Sequence, residues 1–296
     1  MSATHLLPER VAAAARDDTP LLDLRVERKR YDGRIVLADI ALQVARGEIV
    51  CLVGPSGCGK STLLRIVAGL DGDYRGGVRL DGLPLDGPSA RIGVIFQEPR
   101  LLPWLSVADN VGFAAGSRGT RGSRHGRAAE VERLLAEVGL AGQGALLPSA
   151  LSGGMAQRAA IARGLFGEPE LLLLDEPFSA VDALTRMRLQ TLLLDVVQRH
   201  GTAAIVVTHD LDEALYLGDR VLMLGADPGR IDEAMQVDIE RPRDRRDARL
   251  AALRGRLLDA FHRLHDAGDQ GGRGACLDGP QRYFAPPSAS ITTPLR

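Results

Sequence analysis

The stretch Gly54-Pro55-Ser56-Gly57-Cys58-Gly59-Lys60-Ser61-Thr62 has the residue types and spacing of a phosphate-binding loop, G-x-x-x-x-G-K-[ST]. Its glycines let the backbone wrap around phosphate oxygens and turn successive N–H groups inward. In such a loop Lys60 reaches the β- and γ-phosphates of a nucleotide, and the Ser61 hydroxyl ligates Mg²⁺. The chain holds 35 arginines but only two lysines, Lys29 and Lys60, which marks position 60 as one where an ammonium is specifically needed. Cys58 stands at a variable position of the loop, where an accessible thiol would be reactive.

Other residues are spaced to meet that loop. The apolar run Leu171–Leu174 delivers Asp175 and Glu176 to the carboxyl end of a strand, where open α/β sheets bind ligands. Asp175 is expected to support Mg²⁺ from outside its inner ligands, and Glu176 to act as general base on a water above the γ-phosphate. A strand-end helix cap is the plain alternative for this pair. His209 follows a second apolar run, Ile205-Val206-Val207-Thr208, and so reaches the same sheet edge; Gln97 follows a third, which ends at Phe96. The octapeptide Leu151-Ser-Gly-Gly-Met-Ala-Gln-Arg158 ends thirteen residues before Leu171. Its Ser152-Gly153-Gly154 turn, opening a helix, offers a second anion site made of backbone N–H groups and the helix dipole.

The elements that must hold these residues can be read from periodicity. Residues 21–81 read as strand-rich, with 35–44 alternating and 49–53 a continuous apolar run suited to a buried central strand. A helix over 60–68 and a strand over 92–96 follow. Helices are expected near 106–115, 127–138 and 155–165, so 98–165 reads as an inserted helical subdomain. The alternation then resumes: strand 171–175, helix 183–199, strand 203–208, helix 210–217 and strand 220–224, which indicates a parallel sheet covered by helices. An amphipathic helix rich in Arg and Leu is expected over 244–265. The domain plan is a flexible extension over 1–20, one ATPase-like domain over 21–240, a C-terminal helix within 241–266 and a poorly ordered tail over 267–296.

Composition narrows the function. A net charge of −1 over 296 residues disfavours a general nucleic-acid binder. Cys51, Cys58 and Cys276 are odd in number and lack metal-ligand spacing, so neither a disulfide framework nor a zinc site is expected. No apolar run approaches the ~20 residues that span a bilayer, and residues 1–20 lack the order of a signal peptide, so any membrane role is expected to run through partners. The Arg-rich loop 116–127 reads as a solvated loop rather than a phosphate or nucleic-acid contact.

Taken together, the motifs resemble those of ATP-binding cassette (ABC) ATPases, in the expected order from about Leu21 to Leu224. The resemblance implies a P-loop NTPase fold with a parallel sheet core, an antiparallel β-subdomain and an inserted α-helical subdomain. It also implies ATP and Mg²⁺ as ligands and a dimer of two copies. Ser152, Gly153 and Gly154 would clamp the γ-phosphate bound by the other copy's loop, and Ser179–Asp182 would be the D-loop through which each site feels the other. Tyr31 would stack on adenine, Gln97 would sense Mg²⁺ and the attacking water, and His209 would contact the γ-phosphate. For Gln157 and Arg158, helix packing competes with a role in the signature helix. Met155 and Ala156 depart from the commoner pattern, in which one of these positions is Gln or charged, without touching a catalytic role.

The string Phe96–Trp104, Phe-Gln-Glu-Pro-Arg-Leu-Leu-Pro-Trp, is similar to that of the nitrate/sulfonate/taurine branch of bacterial importers, as are Asp227–Ile231 and the Arg-Pro-Arg run at 241–243. In such importers the segment after the glutamine forms a groove for a helix of the membrane permease, and the chain's one tryptophan, Trp104, lies in it; packing of the subdomain is the competing reading of that residue. The resemblance thus implies an ATPase on the cytoplasmic face of the inner membrane, peripheral, working with permease subunits and indirectly with a solute-binding protein. Aliphatic sulfonates are the first expectation for the cargo, with nitrate, taurine or another small solute as alternatives. A ribosome- or DNA-acting ABC protein is disfavoured because the chain has one cassette and no coiled-coil or zinc insertion, and a non-hydrolysing scaffold because Glu176 and His209 are present.

Overall fold

The computed structural model describes residues 19–113 and 124–271. In chain order the first half gives β1 (Leu22–Tyr31), β2 (Arg34–Val44), β3 (Ile49–Val53), α1 (Lys60–Val67), β4 (Tyr74–Leu80), β5 (Leu83–Pro84), β6 (Ile92–Ile95), α2 (Val107–Gly112) and α3 (Arg124–Glu137). Then follow α4 (Gly153–Leu165), β7 (Leu171–Asp175), α5 (Ala183–His200), β8 (Ala203–Val207), α6 (Leu211–Leu217), β9 (Arg220–Leu224), β10 (Ile231–Gln236) and α7 (Ala248–Gly271).

The central sheet has the order β10-β9-β3-β8-β7-β6. Its strands run parallel except β10, which pairs antiparallel with β9. Strands β3 and β8 are buried at every position because both faces of the sheet are covered, which is why their sequences are continuous apolar runs rather than alternations. Successive residues still point to opposite layers. Val50, Leu52, Leu171, Leu173, Ile205 and Val207 enter the core shared with α1 and the antiparallel sheet β2-β1-β4-β5. Cys51, Val53, Leu172, Leu174, Ala204 and Val206 enter the core shared with α2–α7. This is the α/β architecture with an antiparallel β-subdomain and an α-helical insertion.

Two features depart from the sequence reading. The strand β10 was not expected: its Asp232 and Gln236 are exposed, so an edge strand with one wet face leaves only a weak apolar signal. The C-terminal helix was placed within 241–266, yet residues 241–247 are irregular and α7 starts at Ala248. Pro242 has no N–H to give a helix. Asp244 and Asp247 accept the N–H groups of Arg246 and Arg249 at 2.9 and 2.8 Å. The buried guanidinium of Arg243 spends its donors on the carbonyls of Leu215, Tyr216, Gly218, Val237 and Ile239, which pins this segment across the end of α6. At its far end α7 runs to Gly271, five residues past the expected boundary. Of the expected extension, Arg-rich loop and tail, residues 1–18, 116–123 and 272–296, with Cys276, lie outside the described residues.

Candidate nucleotide site

Four chain segments leave the same edge of the central sheet. The phosphate loop follows β3, Gln97 follows β6, Asp175 ends β7 and His209 follows β8. Since β8 lies between β3 and β7, the loop carrying His209 emerges between the phosphate loop and the Asp175-Glu176 pair. Strand register fixes the level: Asp175 stands opposite Val207, the Glu176 N–H donates to the Val207 carbonyl at 2.9 Å, and the Thr208 N–H to the Leu52 carbonyl at 3.2 Å.

The loop itself is shaped by close approach. Gly59 adopts a left-handed φ of 102° as the N-cap of α1, and a Cβ there would come within 2.5 Å of Leu37 Cδ2, so the β-subdomain presses directly on the turn. Lys60, 7% exposed, folds back and donates to the carbonyls of Gly54 and Pro55, each at 2.8 Å. The ammonium therefore sits inside the loop it would serve. Cys58 is 2% exposed, and burial pushes its thiol up, so the expected accessible and reactive thiol is corrected: its sulfur packs inside the loop.

Around the loop the polar side chains pair off. Ser61 Oγ donates to Asp175 Oδ1 at 3.1 Å, and burial, seconded by the neighbouring charge of Glu176, raises the Asp175 carboxyl. The Glu176 carboxylate lies 3.2 Å from His209 Nδ1, while the ring itself is largely exposed. Glu176 has φ 44°, a left-handed turn residue that redirects the chain as it leaves β7. Gln97 is exposed on the same edge.

Tyr31 stands at the end of β1, 42% exposed. Its hydroxyl donates to Asp71 Oδ2 at 2.5 Å and also meets the Thr62 side chain, which ties the ring to the phosphate loop. Beneath it lies Lys29, 1% exposed, with Nζ 4.3 Å from the ring centroid, 2.6 Å from Asp71 Oδ1 and 2.7 Å from the Asp73 carbonyl. Neither Lys29 nor Asp71 lies in a motif, and the one signal for them in the sequence is the scarcity of lysine, which marks position 29 as well as position 60.

The Ser152-Gly153-Gly154 turn opens α4, with Ser152 as N-cap accepting from the Met155 N–H. Gly153 is exposed, with no atom within 4 Å of where a Cβ would sit, so the helix N-terminus is open to a ligand from outside. Helix α4 packs on α2, α3, α5 and β6, whereas α1 packs on β7. Asp182 is the N-cap of α5 and accepts from the Leu184 and Thr185 N–H groups at 3.1 and 3.0 Å. Gln157 is buried, and Arg158 donates to the Val138 carbonyl at 3.2 Å, so both serve packing within the subdomain.

Trp104 is 72% exposed, which removes packing of the subdomain as its role. The segment that carries it is held from inside by Asn110, a residue sequence reasoning did not single out. Asn110 is buried, its Oδ1 accepts the Leu102 N–H at 2.7 Å, and its Nδ2 donates to the carbonyls of Leu102, Leu105 and Ser106.

A phosphate loop, a strand-end carboxylate pair, a histidine beside it and an outward-facing Ser-Gly-Gly helix on this fold define an ATPase of the ABC class. Known proteins agree. The ABC transporter family matches residues 37–179. The aliphatic sulfonates import ATP-binding protein SsuB 2 of Burkholderia cenocepacia (strain HI2424) is 76% identical over 255 residues, which cover 86% of this chain and 92% of that protein. SsuB 1 of Pseudomonas aeruginosa (strain UCBPP-PA14), likewise an aliphatic sulfonates import ATP-binding protein, is 60% identical over 83% of this chain and 98% of its own. Among solved structures, the dimeric post-hydrolysis state of the ATP-binding cassette MJ0796 bound to ADP and Pi superposes with a TM-score of 0.64 at 30% identity, covering 74% of this chain and all of that one. The chain belongs to the ABC transporter family, as an ATP-binding subunit.

Proposed function

We propose that two copies of this chain bind ATP and Mg²⁺ between them and hydrolyse the nucleotide to drive import of an aliphatic sulfonate through permease subunits at the cytoplasmic face of the inner membrane. The observation that supports the chemistry best is the pairing of Ser61 with Asp175 and of Glu176 with His209 at the carboxyl edge of the central sheet. Ser61 and Asp175 are hard oxygen donors that fit Mg²⁺, and a cation there would relieve the unfavourable burial of the Asp175 carboxylate. When bound, Mg²⁺ supplies charge neutralisation to the phosphates. Gln97, exposed on the same edge, would add a third oxygen donor, and nucleotide and water would supply the rest.

Glu176 accepts the proton of the attacking water. The hydrogen bond between its carboxylate and His209 Nδ1, 3.2 Å apart, holds the ring at this edge of the sheet, beside the place of the γ-phosphate. Lys60 leaves the Gly54 and Pro55 carbonyls and turns to the phosphates, Tyr31 stacks on the adenine, and Gln97 orients water and Mg²⁺. Gly54–Thr62 supply the backbone cradle. The turn Ser152–Gly154 of the second copy closes over the γ-phosphate, and Asp182 lines the contact between the copies.

The sulfonate cargo is supported by the likeness to sulfonate import proteins, and the permease contact by the exposed Trp104 on its Asn110 support. No helix among the described residues is long and apolar enough to cross a membrane, in keeping with a peripheral subunit. Growth on an alkanesulfonate as sole sulfur source tests the reading. Deleting the gene should abolish that growth, and the chain, but not its Glu176→Gln variant, should restore it with growth on sulfate unaffected. Full sulfonate growth without the gene, together with lost taurine or nitrate uptake, would reassign the cargo.

A further inference from the structure

We propose that Glu213 is a positioning residue for the His209 loop, acting through a chain of hydrogen bonds that runs from the exposed Arg245, through buried Gln190, Glu213 and Thr208, to the backbone of Asp210. Glu213 sits in the first turn of α6 and is 4% exposed. On one side Gln190 of α5, also buried, donates Nε2 to Glu213 Oε2 at 2.8 Å. The Oε1 of Gln190 accepts from Arg245 Nη2 at 2.7 Å, and the Arg245 guanidinium stacks on the Tyr216 ring at 3.6 Å. On the other side the buried Thr208 hydroxyl donates to Glu213 and accepts the Asp210 N–H at 3.0 Å.

The donors converge from both ends on the Glu213 carboxylate, the one group in the chain that only accepts. Guanidinium gives to amide oxygen, amide nitrogen to carboxylate, hydroxyl to the same carboxylate, and backbone N–H to hydroxyl. His209 lies between the two residues held at the end of this chain. Thr208 is fixed by Glu213 and by its own N–H to the Leu52 carbonyl. Asp210 is fixed by Thr208 and by Arg186 of α5, 3.4 Å away. A buried carboxyl costs the fold desolvation, and burial pushes the Glu213 group upward. Packing of α6 needs no such group, whereas a loop that must hold an imidazole against Glu176 does, since small misplacements at a reacting centre cost large factors in rate.

This inference rests on the reading of His209 given above, and steady-state ATP hydrolysis by the full chain separates the two. Glu213→Ala should lower kcat roughly tenfold to a hundredfold while KM for ATP changes less than about twofold. Glu213→Gln should recover part of the loss, because its amide oxygen can still accept from Thr208 while its amide nitrogen can no longer accept from Gln190 Nε2. Gln190→Ala, which removes the opposite end of the chain, should show the same split between kcat and KM and serves if Glu213→Ala does not fold. In a His209→Ala background, Glu213→Ala should lower kcat by less than about twofold further. An unchanged kcat in Glu213→Ala, or in Gln190→Ala where that variant stands in for it, or a loss that adds in full to that of His209→Ala, overturns the inference and leaves the His209 reading intact. Wild-type kcat in His209→Ala overturns both.

Discussion

Glu176 carries the sharpest expectation at the level of single residues, because one oxygen separates a general base from its amide. Glu176→Gln keeps size and the φ of 44° but loses the ability to take a proton. Hydrolysis should fall by roughly 10²-fold or more. ATP binding should persist, and a nucleotide-bound dimer should accumulate on size exclusion; unchanged turnover would remove Glu176 from the role. Tyr31 offers a second expectation through its support. Lys29→Met keeps the length of the stem but removes the ammonium that holds Asp71 and underlies the ring. ATP affinity measured by titration should weaken by a factor of about three to ten, since a cation near an aromatic face contributes ~0.5–2 kcal/mol. The same variant should alter the acid limb of stability. Burial works against ionised Asp71, but the hydrogen bonds from Lys29 and Tyr31 outweigh it and hold the carboxyl below the usual range. Asp71 therefore contributes stability above its unfolded pKa that is lost as pH falls through the folded one. In Lys29→Met, the decline of Tm on acidification should be shallower in that window.

Elements show where sequence reading succeeds and where it stops. Strands β3, β7 and β8 were legible because burial on both faces forces unbroken apolar runs, and the phosphate loop was legible because its glycines and lysine occur at fixed spacing. Asn110, Asp71 and Arg243 were not, since each acts in part through partners eight to more than forty residues away and no local pattern marks such a pairing. Nor was the packing of the Asp227–Ile231 segment. Gly229 exchanges hydrogen bonds with β2, its N–H to the Val36 carbonyl at 2.9 Å and its carbonyl from the Ala38 N–H at 3.0 Å. A Cβ on Gly229 would lie 2.0 Å from the Cys58 carbonyl, a backbone atom of the phosphate loop. Gly229→Ala should thus displace the loop and weaken ATP binding at least about tenfold, in the range of overpacking penalties. Wild-type affinity in a nucleotide titration would show that the loop can shift without cost. In the helical subdomain, Asn110→Ala leaves the Leu102 N–H and the Leu105 carbonyl without their partner, while the Leu102 and Ser106 carbonyls keep a backbone N–H, and should cost about 2–4 kcal/mol by denaturant unfolding. Hydrogen exchange should rise first over 101–106, the segment that presents Trp104.

At the scale of the molecule, the open Ser152–Gly154 turn and the phosphate loop are two halves of different sites if the dimer reading holds, and this can be tested without a structure of the dimer. Lys60→Ala disables the loop but leaves the turn. Gly153→Asp leaves the loop and sets a negative charge where a phosphate would dock, at a position with no atom within 4 Å to obstruct the new side chain. Each variant alone should be inactive. Co-expressed in equal amounts, the two should form mixed dimers in half of the population, and each mixed dimer joins one intact loop to one intact turn. About a quarter of wild-type hydrolysis should return, half the dimers carrying one of two sites. If both pieces instead served a nucleotide within one chain, no pairing would unite an intact loop with an intact turn, and the mixture would stay inactive. Recovered activity should further scale with the product of the two subunit fractions, peaking at an equal mixture, which a trace of contaminating wild-type protein would not do.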